Sequence, residues 1–342
     1  ADRSNNRIQV RHAGTGAFIG NLGAHPVATA GWKSSTTTVA PGSSNYSCAA
    51  DNCLSWPNGF ALDDANGFIY VVDSGNHRIQ KFNQSTGAAI GSIGRTSATT
   101  GTCPAAAAAS GWCTGGTFLA GAGDGMFSNP VTAAFDAING FLFVADYGNN
   151  RIVKVNASTG AFVGAIGVVN GSTGTCPVGP GAAGFWCTGG VFNLNGSGDG
   201  MLTSPSGVAV DAAQNILYVS DTGNHRISRF NLATGAATGS IGKTTATSGS
   251  CPVANYTGAW CTGGSFGFGF TDGAMFFQQR ISIDDTYLYV GDMINARVQR
   301  FVRSTAAFAG ALGSVTATTG TCLVGNTSGW CTGGTFAASA AD

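Results

Sequence analysis

The motif Asp-x-x-Asn-x-Arg followed by Ile or Val occurs five times in this chain of 342 residues, beginning at Asp2, Asp73, Asp146, Asp221 and Asp292. Successive copies lie 71, 73, 75 and 71 residues apart. A fixed period is the mark of a repeat architecture, in which one supersecondary unit stacks on the next. Each copy sits in the same frame. Around the second it runs Phe60-Ala61-Leu62-Asp63, an Asn66-Gly67 turn, Phe68-Ile69-Tyr70-Val71-Val72, the motif, Ile79-Gln80-Lys81-Phe82, a Thr86-Gly87 turn and Ala89-Ile90-Gly91-Ser92-Ile93-Gly94. Short β-rich runs joined by tight turns predict antiparallel hairpins. Four-stranded units repeated along a chain predict an all-β protein built from the blades of a β-propeller.

The stretches Asn76-His77-Arg78-Ile79 and Asn224-His225-Arg226-Ile227 closely resemble the signature of the NHL repeat. The segment from Gly123 to Pro130, echoed at Gly198-Asp199-Gly200 and Asp272-Gly273, looks like the usual start of an NHL blade. The resemblance spans about half of every repeat and implies an NHL-like propeller. It implies no single activity, because such propellers include enzymes, receptors, nucleic-acid binders and scaffolds. The expected division is a partial first blade with its loop in residues 1–57, then repeats at 58–129, 130–204, 205–277 and 278–342. That makes four complete blades and a split or incomplete fifth.

A propeller blade takes roughly 40 to 50 residues, so about 30 have been added to each of these repeats. The addition follows the last strand and carries two cysteines: Cys103 with Cys113, Cys176 with Cys187, Cys251 with Cys261, Cys322 with Cys331, and a divergent Cys48 with Cys53. Its consensus is Thr-Gly-Thr-Cys-Pro, a variable stretch, then Trp-Cys-Thr-Gly-Gly. Paired cysteines at even spacing inside each repeat predict five local disulfides formed in an oxidising compartment. The competing reading is metal ligation, but zinc sites favour closer cysteine pairs or neighbouring histidines, and no insert contains His. Trp112, Trp186, Trp260 and Trp330 directly precede the second cysteine, where an indole is expected to cover the sulfur bridge; glycan stacking is the alternative.

Only 9% of residues are charged, Glu is absent, and the formal net charge is zero. A neutral chain lacks the basic face that nucleic acid demands, and no apolar run approaches the roughly 20 residues of a membrane span. Surfaces so poor in charge tend to associate. Seven Asn-x-Ser/Thr sequons, at Asn45, Asn83, Asn156, Asn170, Asn195, Asn255 and Asn326, offer N-glycans as a means of solvation. The Thr/Ser runs at 34–38, 96–102 and 244–250 are further candidates for O-glycans.

The titratable residues give no catalytic set. The pairs Asp2–Arg7, Asp73–Arg78, Asp146–Arg151, Asp221–Arg226 and Asp292–Arg297 recur in every repeat, which points to a structural turn: Asp accepts backbone amides and Arg bridges with its planar fork. Asp124, Asp199 and Asp272 lie in Gly-containing turns that suit calcium, yet one carboxylate per turn favours a plain turn residue. Certain NHL-like propellers are lyases or lactonases with a metal near the axis. That site does not carry over, since Glu is absent and His77 and His225 belong to the signature turn while His12 and His25 stand in the irregular first unit. No Gly-x-Ser-x-Gly elbow or nucleotide-binding glycine pattern opens a helix. No cofactor is expected.

The chain starts at Ala1, as a mature N-terminus or a fragment edge would. Asp2 already ends the second strand of a blade, while Gly334-Thr335-Phe336 and the residues up to Asp342 read as the lead-in and opening strand of another. Together the two ends would make most of a fifth blade shared between the termini; the alternatives are further repeats outside the given sequence and an incomplete blade whose strand edges template pairing with another chain. The expectation is a non-enzymatic, extracellular or cell-surface structural or adhesive protein that packs against copies of itself in a fibre, sheath or appendage. The alternative is a secreted module that binds glycans or surface proteins, and a lyase or lactonase ranks third.

Overall fold

The computed structural model describes residues 1–23, 31–32, 50–178 and 184–337. The chain forms four blades of a β-propeller, built of antiparallel strands, and divides into two compact units. The first comprises Ala1–Ala165, Gly171–Cys176 and Cys187–Asn193. It opens with a hairpin of Arg7–Arg11 and Phe18–Gly23. A sheet follows, ordered Pro57–Asp63, Phe68–Asp73, Arg78–Asn83, Ala89–Thr99 and Gly116–Leu119. The second blade repeats this order with Pro130–Asp136, Phe141–Asp146, Arg151–Asn156, Phe162–Ser172 and Gly190–Leu194.

The second unit comprises Ile166–Asn170, Pro177–Trp186 and Leu194–Asp342. Its two blades are Pro205–Asp211, Ile216–Asp221, Arg226–Asn231, Ala237–Thr247 and Gly264–Gly267, then Gln278–Ile283, Tyr287–Asp292, Arg297–Val302 and Phe308–Thr318. The last of these strands pairs with both Gly325–Asn326 and Gly334–Phe336.

Local chemistry explains the frame. Asp63 accepts hydrogen bonds from the backbone and side chain of Asn66, which closes the first turn with Gly67 left-handed at φ 70°. Asn83 Oδ1 accepts from the amides of Ser85 and Thr86, an Asx turn that closes the hairpin between the third and fourth strands. The second strands are near-continuous apolar runs because both of their faces are covered, and the third strands bury polar side chains such as Gln80 and Lys81 beside their apolar ones. Val71, Val72 and Ile79 are completely buried in the first blade, as are Val219 and Ile227 in the third. First strands pack on one another within each unit, Pro57–Asp63 against Pro130–Asp136 and Pro205–Asp211 against Gln278–Ile283. Burial of each such Val, Leu or Ile contributes about 1.5–3 kcal/mol.

Two sequence expectations change. Each blade carries a strand beyond the expected four, because the Cys-Thr-Gly-Gly turn sends the chain back along the far half of the long fourth strand. Thr99 lies opposite Gly116 and Thr96 opposite Phe118. Gly115 makes this return possible. It sits at φ 72°, and a Cβ there would lie 2.6 Å from the backbone nitrogen of Gly101. By the same return, Gly334–Phe336 completes the fourth blade instead of leading into a fifth. Of that expected fifth blade, the N-terminal hairpin is present with one further bridge between Asp2 and Arg7, and residues 338–342 lie outside the described residues.

Candidate functional site: the Trp-Cys clamps

Four disulfides close the added loops: Cys103–Cys113, Cys176–Cys187, Cys251–Cys261 and Cys322–Cys331. Cys53 is buried and disulfide-bonded, and Cys48 lies outside the described residues. The tryptophan before the second cysteine does not cover the sulfurs, as the sequence had led us to expect. It turns to the following repeat. Trp112 donates its backbone N–H to Thr159 O at 3.0 Å and its indole Nε1–H to Ala157 O at 3.0 Å. Trp186 does the same to Thr234 O at 2.9 Å and Leu232 O at 3.0 Å. Trp260 Nε1 donates to Arg303 O at 3.1 Å. Trp32, which the sequence reading had passed over, donates to Thr86 O at 3.0 Å and Gln84 O at 2.8 Å. Each clamp therefore grips the hairpin turn between the third and fourth strands of the next repeat.

A phenylalanine takes the place by the sulfurs. Phe118 packs with Cys103, Cys113 and Ala109 in a small buried cluster. Its other face meets the guanidinium of Arg78, 5.2 Å from the ring centroid, and Phe192, Phe266 and Phe336 lie likewise over Arg151, Arg226 and Arg297. The disulfide loop thus seals the Asp–Arg turn beneath it. Asp73 and Arg78 are joined at 2.7 Å with both side chains fully buried, and the equivalent pairs in the other blades are the same within 0.2 Å. Asp221 also accepts from Asn224 Nδ2 and from the amide of Thr203, while Arg226 donates to the carbonyls of Ser197, Gly198 and Met201. Arg226 accordingly joins Asp221 on the neighbouring strand and also ties the blade's own lead-in loop. Burial pushes the Asp146 and Asp221 carboxyls upward, opposed by their arginines and hydrogen-bond donors. In the N-terminal copy, Asp2 and Arg7 are partly exposed.

The signature residue between Asn and Arg has its own task. His77 is left-handed at φ 53°, and its Nδ1 accepts from the amide of Asn129 at 3.0 Å, at the entry to the next blade. His225 Nδ1 accepts from Phe277 N at 3.4 Å. Asn6, at the same place in the first repeat, accepts from Trp56 N through Oδ1 at 2.7 Å. The position needs a side-chain acceptor on a residue that tolerates the left-handed region, which Asn and His both do. The model of the NHL repeat matches residues 54–82 and 202–230. The chain carries NHL repeats.

No curated protein matches the sequence. Solved structures similar to this NHL propeller include a chain in the crystal structure of a nidogen/laminin complex, at 14% identity and a TM-score of 0.42, covering 75% of this chain and 64% of that one. Another is an auxiliary nutrient binding protein from Bacteroides ovatus, at 13% identity and a TM-score of 0.43, covering 72% of this chain and 48% of that one. The chain thus spans less than two thirds of the length of either relative.

The carboxylates of the Gly-Asp-Gly lead-ins point at backbone. Asp124 accepts from Gly189 N at 2.8 Å, Asp199 from Gly263 N at 2.9 Å and Asp272 from Gly333 N at 2.7 Å, with Asp51 doing the same for Gly115. Each blade thereby fastens its entry loop to its own disulfide loop. Among the described residues no three His, Cys, Asp or Glu side chains gather as a metal cluster. Of the sequons, Asn170, Asn195, Asn255 and Asn326 are exposed, Asn83 and Asn156 are half-buried in hairpin turns, and Asn45 lies outside the described residues. His25 and the run at 34–38 also lie outside them. Beside the Trp112 clamp, a cavity of about 340 Å³ is lined by Asp63, Asn66, Tyr70, Lys81, Asn139 and Asn156. Lys81 Nζ sits 3.9 Å from the centroid of Phe68 and donates to Ala157 O; burial lowers its pKa, with Asp63 opposing.

Proposed function

We propose that this protein is a non-catalytic, extracellular structural subunit that assembles with copies of itself into a surface fibre, sheath or appendage. The observation that carries this reading is the direction of the clamps. Each uses a tryptophan of one repeat and a hairpin turn of the next, so donor and acceptor are different parts of the repeat. Contacts with two unlike faces are the heterologous kind that extend into open assemblies. The disulfides and low charge fit a secreted surface that is partly covered by neighbours or glycans, and the exposed sequons are its proposed attachment points. The recurring Asp, Arg and His residues are occupied in scaffold contacts.

Electron microscopy of the native, non-reduced protein, with intact mass on the same sample, tests this. Filaments or higher oligomers with added carbohydrate mass are expected. Single particles near 34.2 kDa would overturn the proposal and favour a secreted binding module, for which the polar cavity beside Lys81 is the place to look for a glycan or protein ligand.

A further inference from the structure

One repeated site is filled by the chain itself in the second unit and is a cavity in the first. Within the second unit, Asp211 ends the first strand of its blade. The Arg303 side chain, which follows the third strand of the next blade, reaches back to it at 3.1 Å. Arg303 also donates through Nη1 to Asp284 O at 2.7 Å, so its guanidinium is held on two sides. A second cation stands close by. Arg229 pairs in register with Tyr218, its guanidinium lies 4.9 Å from the Trp260 ring centroid, and its Nε donates to Thr238 Oγ1 at 3.1 Å.

The first unit repeats this framework and lacks the arginine. Asp63, Tyr70, Lys81 and Trp112 take the places of Asp211, Tyr218, Arg229 and Trp260, as the matching strand registers show. Ala157 stands where Arg303 does, since each supplies the carbonyl that accepts the indole N–H of its clamp. Without a long side chain from Ala157, the cavity of about 340 Å³ opens there, walled by Phe68, Tyr70, Phe135 and Asp63. Asp63 is 3% exposed. Its oxygens accept from Asn66 and, at 3.5 Å, from Tyr70 OH, and among the described residues it pairs with no cation. A buried carboxylate favours a paired cation. Lys81 does not serve as that cation, because Nζ donates to Ala157 O at 3.2 Å and lies 3.9 Å from the Phe68 centroid.

We infer that this cavity binds a guanidinium head on an apolar stem, with the Asp63 carboxylate pairing with the guanidinium and the rings of Phe68, Tyr70 and Phe135 receiving the stem. The ligand has the chemistry of an arginine side chain, carried by a peptide or by a small amine such as agmatine. A guanidinium is planar, always charged and matched to a carboxylate, and it stacks on aromatic faces. The second unit shows that one such aspartate tolerates two neighbouring cations, since Arg229 and Arg303 both stand beside Tyr218 and Asp211. The volume lies at the small end of ligand cavities, roughly 300–1,000 Å³, which suits one side chain. The site is independent of self-assembly, because all of its walls belong to the first unit of a single chain.

Isothermal titration calorimetry of the full-length protein tests it with an acetylated Gly-Arg-Gly amide, the same peptide with citrulline in place of arginine, and agmatine. The arginine peptide or agmatine is expected to bind at one site per chain. Citrulline keeps the shape and loses the charge, so its peptide should bind about tenfold more weakly or worse. Asp63→Asn, which keeps an Oδ1 acceptor for the Asn66 turn, should weaken the arginine peptide by a similar factor. Ala157→Arg supplies the guanidinium from within and should abolish binding. Arg303→Ala opens the equivalent place at Asp211 and should raise the stoichiometry from one to two. Tighter binding of the peptide than of agmatine assigns the site to a protein partner, and the reverse order assigns it to a small molecule. No binding of either cation to the wild type, or equal binding of the citrulline peptide, would overturn the site whether or not the protein assembles.

Discussion

The Asp–Arg turn and the Trp-Cys clamp are both repeated in every blade, yet they hold different things by different means. The turn is a buried ion pair that fixes one blade internally: in the third blade, the Asp221 and Arg226 side chains are fully enclosed, and every hydrogen bond of the Arg226 guanidinium ends in its own blade or lead-in loop. The clamp is neutral, lies nearer the surface and joins one repeat to the next through backbone carbonyls. Electrostatics in a sealed interior specifies the unit, and a disulfide-stiffened arm specifies the succession of units. The two meet at the phenylalanine of the fifth strand, which has the disulfide on one side and the guanidinium on the other.

Breaking the turn should cost most. Arg226→Met leaves the Asp221 carboxylate buried without its cation, and removal of one partner from such a pair typically destabilises by about 3–5 kcal/mol. The same change at Arg7, whose pair is partly exposed, should cost only about 0–1 kcal/mol. Denaturant titrations of the two variants measure both numbers, and equal losses would show that burial is not what separates the copies. The clamp comes next. Replacing Cys103 and Cys113 together by Ala reopens a loop with a sequence separation of 10 residues and should cost about 2–3 kcal/mol. Because Trp112 rides on that loop, its fluorescence should respond in the native state, whereas a disulfide that acted only on the unfolded chain would leave the native emission unchanged.

Legibility in the sequence follows the same divide. The turn was readable because its chemistry resides in side chains: Asp, Asn and Arg recur at fixed spacing, and a repeated charge pair reads as scaffold. The cysteine partners were readable from spacing within a repeat. What the clamp grips was not, since its acceptors are the carbonyls of Gln84, Ala157, Leu232 and Arg303, four residues with no side-chain chemistry in common. The fifth strand did leave a trace. Gly-Gly-x-Phe returns at Phe118, Phe192, Phe266 and Phe336, but this apolar residue two places beyond a double glycine is too short a run to read as a strand. Trp32 was missed because its repeat is the divergent one, with its cysteines displaced beyond it.

The smallest expected effect concerns the joint between turn and clamp, where the signature histidine works. His77 and His225 accept backbone N–H groups through Nδ1, which a protonated imidazole cannot do. Burial lowers both pKa values in the folded state, opposed by nearby carboxylates: Asp146 and Asp73 for His77, Asp221 and Asp292 for His225. An unfolded histidine titrates near 6.5. Above that pH both states hold the neutral ring and the contribution is complete. As pH falls below it the unfolded chain takes up protons that the folded chain resists, so stability declines until the lowered folded values are passed. The melting temperature should therefore drop as pH falls below about 6.5 in the wild type. Asn6 shows that Asn can make the same bond without titrating, so the double variant His77→Asn, His225→Asn should flatten that slope while keeping its stability at pH 7.5. If the slope persists in the double variant, the histidines serve only as acceptors that Asn matches at every pH, and the loss arises elsewhere than at Asp146 and Asp221, whose upward-shifted carboxyls would favour the folded state as pH falls.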